Sequence, residues 1–189
     1  MKTACIFAGL CLGLAAYRMH SAAQQPAIEV FPTQNSTLLG VKGPHVAGTI
    51  FTADYLFEFP SALTTDSVVR FTPTGPDIAA AEQLAATQLK ALNHYHPNQT
   101  PGNPVLEKNL PAYFRQYVGY VNRQDEKIIH LNFYWTNYPN ADKRKGYSDL
   151  RLHYDSPYAT TLDGGSYYWQ VDANLTKRQL SNLWVNGFG

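Results

Sequence analysis

Pro76-Asp77-Ile78-Ala79-Ala80-Ala81-Glu82-Gln83-Leu84-Ala85-Ala86-Thr87-Gln88-Leu89-Lys90-Ala91-Leu92-Asn93-His94-Tyr95 is the stretch that decides the fold. Ala, Leu, Gln, Glu and Lys dominate it, the residues that lose least on entering a helix. Ile78, Ala81, Ala85, Leu89 and Leu92 recur at three-four spacing and fall on one face, while Gln83, Thr87 and Lys90 fall elsewhere. Thr74-Gly75-Pro76-Asp77 supplies a start, with Pro in the first turn and Asp at the positive helix end. Asn93 to Pro97 supplies the stop. The small alanines suit close packing against a sheet.

Strand-like segments flank this helix. Val46 to Phe59 and Ser67 to Thr72 precede it, and the proline-rich run from Asn98 to Pro111 follows as a loop. Tyr113 to Val121 and Lys127 to Trp135 are separated by a polar turn. In the second of these, Ile129, Leu131, Phe133 and Trp135 alternate with Ile128, His130, Asn132 and Tyr134, which predicts two opposite faces. Asp149 to Tyr154 alternates again, and Asp163-Gly164-Gly165 turns the chain into Ser166 to Ala173 and then Gln179 to Phe188. The expected fold class is α+β, one long helix packed on an antiparallel meander sheet. Residues 24–45 read as an extended N-terminal arm, and residues 46–189 as a single α+β domain.

Residues 1–23 have the pattern of a signal peptide. Lys2 is followed by an apolar run from Ala4 to Ala16, and Ser21-Ala22-Ala23 offers the small residues a signal peptidase reads, placing cleavage before Gln24. The expected location is periplasmic or secreted, with no transmembrane span after cleavage. Both cysteines, Cys5 and Cys11, lie in this segment, and neither has the flanking residues of a lipid-modified cysteine. A chain beginning at Gln24 therefore has no disulfide, thiolate metal site or cysteine nucleophile. Without Lys2 and Arg18 the 15 basic residues become 13 against 14 acidic ones, a net charge of −1. So neutral a chain carries no electrostatic footprint for nucleic acid. The 13 tyrosines suit a half-buried sheet whose rings pack while their hydroxyls stay wet.

Gln116-Tyr117-Val118-Gly119-Tyr120-Val121-Asn122, the strand Ile128 to Trp135, and the tail with Asp163-Gly164-Gly165-Ser166, Asn174-Leu175-Thr176, Leu183 and Val185-Asn186-Gly187 resemble a group of small secreted proteins of Bacteroidetes. The resemblance implies an address and a fold, with no activity attached to it. The element order also resembles cystatin-like folds, in which a meander wraps one helix. Cystatin inhibitors carry a Gln-x-Val-x-Gly loop and a Pro-Trp turn. Here Gln116-Tyr117-Val118-Gly119 brings the glycine one residue early and inside a strand, and Trp135, Trp169 and Trp184 follow Tyr, Tyr and Leu. The analogy extends to the fold and not to protease inhibition.

No catalytic constellation is assembled in the sequence: Gly-x-Ser-x-Gly, His-Glu-x-x-His and Ser-x-x-Lys are absent. The metal-like candidates are His94, His96, His130 and His153. His94-Tyr95-His96 reads either as two ligands on an extended segment or as a cap at the negative helix terminus. A hairpin joining Lys127–Trp135 to Ser148–Tyr154 would oppose Phe133 to Leu150, Leu131 to Leu152 and His130 to His153. That pair reads as two solvated histidines or as a pH or metal response. Asp149, His153 and Asp155 cluster without a nucleophile, and Asp142 to Gly146 is a charged loop tip. The expected function is a non-enzymatic binding module, with no cofactor, for an envelope or extracellular protein or a small ligand. The alternative is a small-substrate enzyme with a pocket between helix and curved sheet, which requires a deep cleft holding convergent titratable groups.

Overall fold

The computed structural model describes residues 28–57, 68–136 and 154–188. One helix, α1 (Gly75–Leu92), follows β1 (Glu29–Pro32), β2 (Leu38–Gly43), β3 (Val46–Phe51) and β4 (Val69–Phe71). It precedes β5 (Tyr113–Val121), β6 (Lys127–Trp135), β7 (Tyr168–Asn174) and β8 (Gln179–Val185). All eight strands form one sheet in the order β1-β2-β3-β5-β6-β7-β8, with β4 paired to β5 beyond the end of β3. The α+β class holds, and most pairings are antiparallel.

The helix forms where the three-four pattern places it. Thr74 caps it: its hydroxyl accepts from the Asp77 amide, and the Asp77 carboxylate accepts from the Thr74 amide, a reciprocal capping box. Asp77 also meets Lys127 at 2.7 Å, tying the helix start to β6. Ile78, Ala81, Ala85 and Leu89 are buried, and Gln83, Thr87 and Lys90 are exposed. The helix covers one sheet face with Tyr117, Leu131, Val171 and Leu180 beneath it. At the thick end of that core Phe133 stacks on Trp169 at 3.7 Å, and Tyr113 stands edge-on to Trp135 and Trp169.

Three expectations change. Residues 24–45, expected as an extended arm, contain β1 and β2, which are laddered into the sheet; a turn beginning at Thr33–Asn35 joins β1 to β2, and one at Pro44 joins β2 to β3. The sheet is not a pure antiparallel meander, since β3 runs parallel to β5, with Gly48 opposite Arg115. Gly48 is the residue that admits this approach, because a Cβ there would lie 2.5 Å from the Arg115 carbonyl oxygen. Finally, β6 cannot pair with Ser148–Tyr154: β5 occupies one of its edges and β7 the other. His130 therefore faces Val118 and Asp172, and His153 lies outside the described residues, as do Asp149 and the Asp142–Gly146 loop.

Candidate functional site

The sheet face away from the helix is mixed: Leu38, Phe51, Val118, Tyr120 and Ile128 form a second buried apolar cluster on it, and beside them lie polar residues, those of β6 coming from the second set of its alternation. Strand register aligns Gln116, Asn132 and Gln170 in one row and Val118, His130 and Asp172 in the next. An extended strap, residues 154–161, crosses this face. Sheet side chains hold its backbone: Thr49 Oγ1 donates to the Tyr154 carbonyl and Gln116 Nε2 to the Pro157 carbonyl. Gln116 Oε1 accepts from the Ala159 amide at 2.9 Å, and Asn132 Nδ2 donates to the Ala159 carbonyl at 2.9 Å. Asn132 Nδ2 also donates to Gln116 Oε1, and Asn186 donates to the Thr161 carbonyl. Two side-chain amides thus replace the ladder that a neighbouring strand would have given the strap. Tyr158 adds an apolar anchor, edge-on to Phe51 and Phe57.

Under the strap lies a histidine-carboxylate chain. His130 Nδ1 is 2.8 Å from Asp172 Oδ1, and Nε2 is 3.0 Å from the Tyr158 hydroxyl. Asp172 Oδ2 accepts from Tyr120 and from Asn182 Nδ2. Burial works to raise the Asp172 pKa, but the His130 bond and charge, with the Asn182 and Tyr120 bonds, outweigh it and hold the carboxyl below its ordinary value. Burial, reinforced by the Asp172 charge, raises both the Tyr158 and the Tyr120 hydroxyls, so they keep their protons at neutral pH. The His130 side chain is 13% exposed.

A buried ion pair lies on the helix side. Arg115, 1% exposed, holds Glu82 through Nε at 3.2 Å and Nη2 at 3.3 Å, and donates Nη1 to the Tyr113 carbonyl. Tyr117 donates to Glu82 at 2.7 Å; its burial, followed by the Glu82 charge, pushes its pKa well up. Glu82 and Arg115 touch a mainly apolar cleft of about 320 Å³ between α1 and the β2–β3 turn. Another cleft, of about 360 Å³, opens beside the strap, floored by Tyr134 and Tyr168 and walled by Ser156 to Thr161.

Of the sequence candidates among the described residues, His130 alone enters a titratable network. His94 Nδ1 contacts the Ala91 carbonyl at 3.0 Å and its ring lies against Tyr95, the geometry of a helix-end cap. His96 is exposed with φ +46. No group of three or more His, Cys, Asp or Glu among the described residues could hold a metal ion. Asp155 accepts from the Asn35 amide at the surface. Sequence reasoning missed Asp172 and Tyr158 as partners of His130, and Tyr120 as a partner of Asp172. Asp172 was within reach: in β7 Trp169, Val171 and Ala173 alternate with Gln170, Asp172 and Asn174, which assigns Asp172 to the polar face. Tyr158 gave no signal, since nothing local distinguishes a strap from a loop.

No protein-family model, curated protein or solved structure matches the chain. No helix among the described residues is long and apolar enough to cross a membrane.

Proposed function

We propose that the protein is a non-enzymatic binding module acting in the periplasm or outside the cell, on a cystatin-like wrap of sheet around helix. One observation carries the reading. The histidine-carboxylate chain is sealed: both His130 ring nitrogens have protein partners, and the strap covers the ring. A general base needs a nitrogen within reach of substrate. Here Nε2 holds the strap, which suits a fastening better than a catalytic group.

The enzyme reading draws on one feature. Tyr158 bonds to His130 and also lines the cleft beside the strap, so a Tyr-His-Asp chain reaches a surface where a small substrate could sit. In that scheme His130 would take the Tyr158 proton, and Asp172 would orient the imidazole. Burial of the phenol opposes the step by stabilising its protonated form.

The test is to incubate immobilised protein with extracellular extract, wash, and analyse what is retained by mass spectrometry. A species retained chemically unchanged, equally by wild type and His130→Gln, supports binding. A converted product whose formation disappears in His130→Gln overturns it.

A further inference from the structure

The cleft beside the strap has a chemistry that its histidine chain does not use. None of the described residues lining it carries a charge; they are tyrosines, hydroxyl residues, Pro157 and Ala159. Asp172, the nearby carboxylate on this sheet face, is committed to His130, Tyr120 and Asn182. The Thr160 and Thr161 hydroxyls make no hydrogen bond among the described residues, and they stand on the wall facing solvent.

The floor continues outward across the sheet. Tyr134 lies directly opposite Tyr168, and Gln170, two residues along β7, lies directly opposite Trp184 on β8. All four share the strap face, because their neighbours Trp169 and Val185 are buried in the helix-side core. Trp184 is 67% exposed, an unusual position for so large an apolar side chain. Aromatic rings on three adjacent strands span about 10 Å, and diagonal neighbours on a sheet remain within reach of one another's rings. The Gln170 side-chain amide sits between them and has no hydrogen-bond partner among the described residues.

Flat ring faces present negative potential to polarised C–H groups, and flanking amides and hydroxyls serve a ligand rich in O–H groups. Among the described lining residues there is no cation to anchor a phosphate or carboxylate, which favours a neutral ligand. An apolar ligand would be served better by the second cleft, whose lining is mostly aliphatic. We propose that Tyr168, Gln170 and Trp184, with the strap hydroxyls, form a binding platform for a neutral saccharide chain, with one sugar ring stacked on Trp184 and the next entering the cleft over Tyr168. This rests on the binding-module reading and names the ligand class of that module.

Trp135 and Trp169 are buried, so a change in tryptophan emission on titration reports Trp184. The protein is titrated with hexamers of cellulose, laminarin, xylan and mannan, with a galacturonate hexamer as charged control, and the oligosaccharides are sized afterwards. The expected result is a blue shift with at least one neutral hexamer, and an affinity, read by isothermal titration calorimetry because Trp184→Ala lacks the reporter, weakened tenfold or more in Trp184→Ala and severalfold in Gln170→Ala, with melting temperatures unchanged. No binding by any neutral hexamer, binding of the galacturonate alone, or full affinity in Trp184→Ala would overturn the platform. A neutral hexamer that binds but is shortened would keep the ligand class and overturn the binding-module reading instead.

Discussion

The two faces of the sheet solve the same problem of coverage by opposite means. The helix face is covered by apolar side chains, and its buried ionic cluster, Arg115 with Glu82 and Tyr117, pairs within itself. The strap face is covered by a length of irregular chain whose backbone must find partners. Gln116, Asn132, Thr49 and Asn186 supply them. An apolar cover needs only shape, whereas a backbone cover needs donors and acceptors at fixed spacing. The helix face should therefore govern global stability, and the strap face local opening.

Leu89→Asp strikes the apolar cover most directly. It places a carboxylate where Leu89 is fully buried, and a loss of about 4 kcal/mol or more is expected in thermal or urea melts. A melt matching wild type would mean the helix is not the cover. Next comes Glu82→Ala, which strands a buried guanidinium and should cost about 3 kcal/mol. The double variant Glu82→Leu with Arg115→Met should recover most of that loss, as an apolar pair does not need the ionic one. If the double variant is as unstable as the single, the pair is tied to the fold by more than its own desolvation.

On the other face Asn132→Ala removes the donor to the Ala159 carbonyl and to Gln116, with an expected cost of about 2 kcal/mol. Limited proteolysis should then cut within residues 154–161 before the melt shifts much. Simultaneous global unfolding would erase the distinction between the faces.

The smallest effect concerns pH. Asp172 has a folded pKa below its unfolded one, so its contribution is present above the usual aspartate range, near pH 4, and is lost as pH falls through the folded value. His130→Gln removes the bond and charge that depress it, so the acid loss should begin at higher pH, with about 1 kcal/mol or less lost at pH 7. Superimposable acid-unfolding curves for the two proteins would show that Asp172 is held by Tyr120 and Asn182 without help from the imidazole.

What the sequence reveals and conceals follows the same division. Helix α1 and the two faces of β6 could be read directly, because periodicity records which side of an element is apolar. Val46–Phe51 also reads as strand, but its parallel partner does not, since pairing across the helix leaves no local mark beyond Gly48. The N-terminal strands were hidden by Pro, Gln, Asn and Ser, which mark the turn between them and mask strands of four and six residues. Opposing His130 to His153 followed sound register logic on the wrong neighbour. Alternation fixes which face His130 occupies, and only the order of strands decides that Asp172 stands beside it.

The parallel pairing of β3 with β5 has a consequence for how the molecule is made. Synthesis delivers β3 long before β5, and a two-residue hairpin turn cannot bring them together; helix, β4 and the proline-rich loop must be out first. Until then Val46–Phe51 offers a bare edge rich in Ile, Val and Phe, the kind of segment that recruits other chains. The β5-β6 and β7-β8 hairpins close locally and quickly, so the slow step should be docking of the N-terminal strands onto a finished C-terminal half. Refolding yield should then fall with protein concentration, and excess peptide covering residues 46–51 should compete with β3 for the β5 edge.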